Sequence, residues 1–85
     1  MAPKISQRQL DRTLCALYKL TGESLHAHYP LEAVMRKLPP HLRGAVKRAI
    51  KQLEKMGLVY RKGGTRSYGI TREGLERARE VCMGE

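Results

Sequence analysis

The sequence predicts a mainly α-helical domain with a small β-hairpin, and three observations carry that reading. Apolar residues recur at helical spacing in the first two-thirds of the chain, Gly63-Gly64 separates two short β-prone runs, and a last amphipathic stretch closes the sequence. The expected order is helix, short extended segment, helix, helix, strand, strand, helix. At 85 residues the chain reads as one domain, 1–85 with a core over 6–83, able to bury one modest core and too small for a built-in effector domain.

Ser6-Gln7-Arg8-Gln9 has the spacing of a capping box, in which the serine oxygen takes a backbone N–H and the glutamine reaches back. Leu10, Leu14, Leu17 and Tyr18 follow as one stripe, and Gly22 is placed to end the helix, which spans Gln7 to Thr21. Glu23 to Tyr29 alternates Leu25, Ala27 and Tyr29, as a short extended segment does. Pro30 suits the first turn of a second helix, Leu31 to Leu38, which Pro39-Pro40 stops because neither proline can donate an N–H.

A third helix starts near Pro40 or His41 and reaches about Met56, with Leu42, Val46, Ala49, Ile50 and Leu53 on one side. The opposite side carries Gly44, Lys47, Arg48, Lys51 and Lys55, and Gly57 supplies the stop. Leu58–Lys62 and Arg66–Ile70 are short strands around Gly63-Gly64-Thr65. Thr71 caps a last helix, Arg72 to about Met83, whose Leu75, Ala78 and Cys82 face inward and whose first turn Gly74 weakens.

Charge is the strongest functional signal. Residues 36 to 66 hold ten Lys or Arg and one acid, Glu54, whereas the remaining residues hold seven of each sign, so that segment carries the whole net charge of +9. A basic helix feeding a basic hairpin is the electrostatic footprint of a phosphate binder. A merely solvated face is usually mixed in sign.

Other chemistries find little footing. The acids are scattered, the histidines lack a nucleophile or carboxylate partner in any motif, and no Gly-rich phosphate loop is present, so the chain does not read as an enzyme. His26, His28 and His41 read as loop histidines and no metal or cofactor is expected, because a closed metal site needs about four well-placed ligands. Cys15 and Cys82, 67 residues apart and without a Cys-x-x-Cys pair, read as two reduced structural thiols. No apolar run approaches the ~20 residues that span a bilayer, and Met1-Ala2-Pro3-Lys4 does not look like a secretory signal, so a cytoplasmic protein without a membrane partner is expected.

The order of elements resembles the winged-helix (winged helix-turn-helix) family of DNA-binding domains. Residues 50–59, Ile50 to Val59, look like the end of a recognition helix turning into the first wing strand. Tyr68-Gly69-Ile70-Thr71-Arg72-Glu73-Gly74-Leu75 is similar to the passage from second wing strand to last helix in MarR- and PadR-like repressors. The turn before the third helix departs from many of these repressors, with Pro39-Pro40-His41 in place of Ser or Thr caps.

The resemblance implies a transcriptional regulator that places its third helix in the major groove of double-stranded DNA, where Lys47, Arg48 and Lys51 would reach bases or phosphates and Gly44 would let the backbones approach. Lys55 continues that stripe, and Arg43 and Gln52 flank it. The wing offers Arg61, Lys62, Thr65 and Arg66 to the backbone or minor groove. RNA, including the ribosome, and an acidic protein are the rival partners, since phosphate contacts do not distinguish the nucleic acids. A symmetric homodimer is expected through apolar surface at Cys15 and Ala16 and at Val81-Cys82-Met83.

Overall fold

The first helix forms where its cap allows. In the computed structural model, which describes residues 5–64 and 66–82, α1 (Gln7–Thr21) starts behind Ser6, whose Oγ accepts the Gln9 N–H at 3.1 Å. The glutamine side chain does not reach back to complete the capping box. It turns inward instead, where Nε2 donates to Thr13 Oγ1 at 3.1 Å and to the Leu42 carbonyl at 2.9 Å. Gly22 ends the helix with φ 62°, its N–H on the Tyr18 carbonyl, as the sequence predicts.

After α1 the chain runs through β1 (Tyr29–Pro30), α2 (Leu31–Arg36), α3 (Pro40–Arg43), α4 (Val46–Lys55), β2 (Val59–Arg61), β3 (Ser67–Ile70) and α5 (Arg72–Cys82). The molecule is mainly helical with one small antiparallel sheet in the order β1-β3-β2. The extended segment before Pro30 contracts to Tyr29–Pro30 and adds a third strand to the expected hairpin, pairing Tyr29 with Tyr68. Pro30 is tolerated there because β1 is an edge strand, paired on one side alone.

The expected single third helix is broken. α3 and α4 part at Gly44 and Ala45, with Ala45 at φ −103°, ψ 4°. Glycine is a weak helix former, and the Leu42 carbonyl is already held by Gln9 where the segments diverge. α4 then ends as predicted: Gly57 has φ 78°, its N–H bonds Glu54 O, and the Leu58 N–H bonds Leu53 O, the paired bonds of a Schellman motif.

α1 packs against both α4 and α5. Leu14 and Leu17 from α1, Val46, Ala49, Ile50 and Leu53 from α4, Val59 and Ile70 from the sheet, and Leu75 and Ala78 from α5 are all buried in one cluster. Val34 and Leu38 close it from the α2 side. Across β2 and β3 the register sets Val59 against Ile70 and Tyr60 against Gly69. On the far side of the sheet the Tyr60 ring lies over Gly69, where a Cβ would collide with it, and its hydroxyl donates to the Leu25 carbonyl at 3.0 Å.

The cysteines correct the sequence reading. Cys15 and Cys82 are joined in a disulfide, with Cα atoms 5.7 Å apart, that ties α1 to the end of α5. Sequence distance hid the pair, because only the packing of α5 along α1 brings residues 67 apart together. A second link lies near it: the Arg79 guanidinium donates to Glu23 and holds that carboxyl below the usual carboxylate range, against a smaller opposing effect of desolvation. The Tyr18 hydroxyl adds a donor at 3.2 Å.

Gly74 also differs from its expectation as a mere weakness in the last helix. Thr71 Oγ1 accepts the Gly74 N–H at 3.0 Å and donates to the Gly57 carbonyl at 2.6 Å, drawing α5 onto the α4–β2 turn. A Cβ at Gly74 would then overlap the Leu58 carbonyl oxygen, a backbone atom with nowhere to go. Helix propensity alone makes Gly74→Ala stabilising by up to about 1 kcal/mol. The close approach reverses the sign, and denaturant titration should show a loss of about 1–3 kcal/mol, the usual cost of overpacking. Cys82→Ala, which removes the cross-link and leaves Cys15 buried, should lower unfolding free energy by about 4 kcal/mol, from the length of the closed loop.

Candidate nucleic-acid interface

α4 sorts its residues by face. Val46, Ala49 and Ile50 are 0 % exposed, so the helix has one rotational setting, and Lys47, Arg48, Lys51 and Lys55 are all exposed to solvent. Among the described residues no hydrogen bond or ion pair holds these four side chains, nor those of Arg61 and Arg66. Their charges are directed outward rather than spent on neighbours in the chain. Two ion pairs, Arg77 with Glu80 and Arg79 with Glu23, involve α5.

The hairpin that follows α4 carries further exposed cations. Arg61 ends β2 opposite Tyr68, Lys62 donates its backbone N–H to Ser67 O at 2.9 Å, and Gly64 turns the chain with φ 74°. Arg61, Lys62 and Arg66 are exposed around that turn. Thr65 lies outside the described residues. Only Met56, Gly57 and Leu58 separate α4 from β2, so the basic helix leads into the basic hairpin through a short turn.

Two expected site residues take other places. Arg43 does not stand with the α4 cations: its Nε donates to Met35 O at 3.0 Å and Leu38 O at 2.9 Å, bracketing the turn that follows α2. Gly44 lies in the break between α3 and α4 rather than on the face of α4, at an ordinary φ of −63°. A Cβ there would meet nothing within 4 Å, so neither backbone strain nor internal crowding requires glycine at this position.

The apolar surface expected to support a dimer is internal on α1 and half-buried at Val81 and Cys82 on α5. Cys15 and Ala16 are each 2 % exposed, Cys82 is in the disulfide, and Met83 lies outside the described residues. Among the described residues no group of three or more His, Cys, Asp or Glu side chains is arranged to hold a metal ion.

Gln9 is the positioning residue that sequence reasoning missed. At 6 % exposure its amide fastens α1 to the carbonyl at the end of α3, just before the basic helix begins. A signal was present: Gln9, Thr13, Leu17 and Thr21 follow at steps of four, a row of α1 that is buried throughout although three of its members are polar. Comparison with protein families, curated proteins and solved structures found no match to this chain.

Arg43 and Lys51 should therefore separate cleanly in thermal unfolding. Arg43→Ala removes a charged donor from two carbonyls and should cost about 1–3 kcal/mol. Lys51→Ala, on an exposed face without partners, should stay within about 0.5 kcal/mol of the parent.

Proposed function

We propose that this chain binds double-stranded DNA as a winged helix, with α4 as the element that enters the major groove and the β2–β3 hairpin as the wing on the backbone or minor groove. The observation that carries the reading is the outward face of α4: Lys47, Arg48, Lys51 and Lys55 are exposed and engage no other described residue, while the opposite face is buried. Such a face costs self-repulsion in the free protein and is relieved by a polyanion. An α-helix with its side chains is about 10–12 Å across, which fits a B-form major groove about 12 Å wide. The deep, narrow major groove of A-form RNA would exclude it.

Gly44 supports the same docking. Because the chain itself makes no demand for glycine there, the open space beside the start of α4 is free for a sugar–phosphate backbone. Lys47, Arg48, Lys51, Lys55, Arg61, Lys62 and Arg66 form the proposed contact set. Arg43 leaves it for the structural role its hydrogen bonds define. A regulator of transcription is the role that follows from groove recognition. The disulfide suits a compartment, or a growth temperature, at which such bonds persist.

Titration of duplex DNA against structured RNA, at several salt concentrations, tests the reading. With about six cations on phosphates, log K against log salt should fall with a slope near −5 for the duplex. Lys51→Ala should weaken binding and reduce that slope by about 1. A slope near zero, or preference for the RNA, would overturn the assignment.

A further inference from the structure

The outward face of α4 sorts its side chains by chemistry into two rows. Residues four apart share a row on a helix, about 6 Å from one another along its axis. Lys47, Lys51 and Lys55 make one row, all ammonium groups. Arg48, Gln52 and Met56 make the row beside it, and Met56 continues it as the cap because its backbone stays helical, at φ −79° and ψ −6°. Glu54, the acid of this helix, lies on the far side of the lysine row.

An ammonium is a point charge that suits a phosphate oxygen, whereas a guanidinium and a carboxamide each present a planar pair of groups that matches one base edge. Arg48 and Gln52 are exposed, and among the described residues no hydrogen bond or ion pair occupies either side chain. Met56, at 46 %, is the one large apolar side chain that is exposed among the described residues. An apolar group in line with two bidentate ones fits a surface that offers a methyl group beside polar edges, as the major groove does at thymine.

We propose that the Arg48–Gln52–Met56 row reads bases, taking guanine, adenine and thymine in turn, while the lysine row rests on phosphates. The inference rests on the DNA-binding reading above and adds to it a division between specificity and affinity. Arg48 donates two N–H groups to guanine O6 and N7. Gln52 donates its amide N–H to adenine N7 and accepts the adenine N6–H at its carbonyl, and Met56 packs on the thymine 5-methyl group. A row step of about 6 Å, set against a rise of about 3.4 Å per nucleotide, spaces the contacts about two base pairs apart.

Selection of bound sequences from a random duplex pool, run in parallel on the parent chain, Arg48→Ala, Gln52→Ala, Met56→Ala and Lys51→Ala, tests the division. The parent should enrich guanine, adenine and thymine at that spacing. Arg48→Ala should lose the preference for guanine and Gln52→Ala that for adenine, each a fall of roughly 5- to 150-fold in discrimination at its own position. Lys51→Ala should weaken every sequence alike and leave the enriched site unchanged. A further measurement needs no variant to fold: replacing the selected thymine by deoxyuridine, which lacks the methyl group, should weaken binding of the parent about fourfold. The same replacement should leave Met56→Ala unaffected. Salt-sensitive duplex binding without base preference, or a preference that changes with Lys51 and not with Arg48 or Gln52, would overturn the row assignment and leave the DNA-binding reading standing. Failure to bind any duplex would overturn both.

Discussion

The packing of α4 on α1 is the constraint on which the other features depend. Leu14 and Leu17 of α1 and Val46, Ala49, Ile50 and Leu53 of α4 share one buried cluster, each no more than 1 % exposed. Fully burying an aliphatic side chain of this size is worth about 1.5–3 kcal/mol. No rotation of α4 about its axis keeps that burial and turns the lysines inward. The electrostatic surface is thus a consequence of core packing, and four adjacent cations persist on one face because the apolar stripe opposite them outweighs their repulsion.

Polar groups decide where that helix begins and ends. Gln9 meets the Leu42 carbonyl from inside the core, Arg43 brackets Met35 and Leu38 from outside, and α4 starts at Val46 with no side-chain cap. A buried amide with both N–H groups satisfied stabilises one arrangement over competitors that leave a donor unmet. These bonds explain why Pro39-Pro40-His41 can precede the helix without the Ser or Thr caps a sequence reader looks for. The cap's positioning role is taken over by side chains from α1 and from α3 itself.

Much of this was legible in the residue order, because it follows from local rules. The bounds of α1, the glycine stops at Gly22 and Gly57, the start of α5 and the buried stripe of α4 all came from periodicity and caps. What escaped depended on contacts between distant residues. The helix break at Gly44 needed Gln9 from 33 residues away, the disulfide needed α5 to lie along α1, and the third strand needed Tyr29 to find Tyr68. In the candidate site, the four α4 cations and the hairpin cations were legible as exposed charge. Arg43 was not, since a guanidinium that brackets carbonyls and one that meets solvent look alike in sequence.

The neutral part of the chain fixes the basic part. Helix and hairpin are joined by three residues, and that short turn is gripped from the other side: Thr71 bonds Gly57 through its hydroxyl and Leu58 through its N–H, and Gly74 lets α5 close against the same carbonyl. Each of these contacts constrains the angle at which β2 leaves α4. A polyanion meeting α4 and the hairpin would thus find cations already held in a set relation, with little ordering entropy left to lose on contact. α5 carries two ion pairs and one end of the disulfide, which makes it a brace of the fold, while among the described residues the α4 cations Lys47, Arg48, Lys51 and Lys55 take no part in such pairs. The division of labour follows from where the acids lie: Glu73, Glu76 and Glu80 are all on α5, and only Glu54 shares α4 with the lysines.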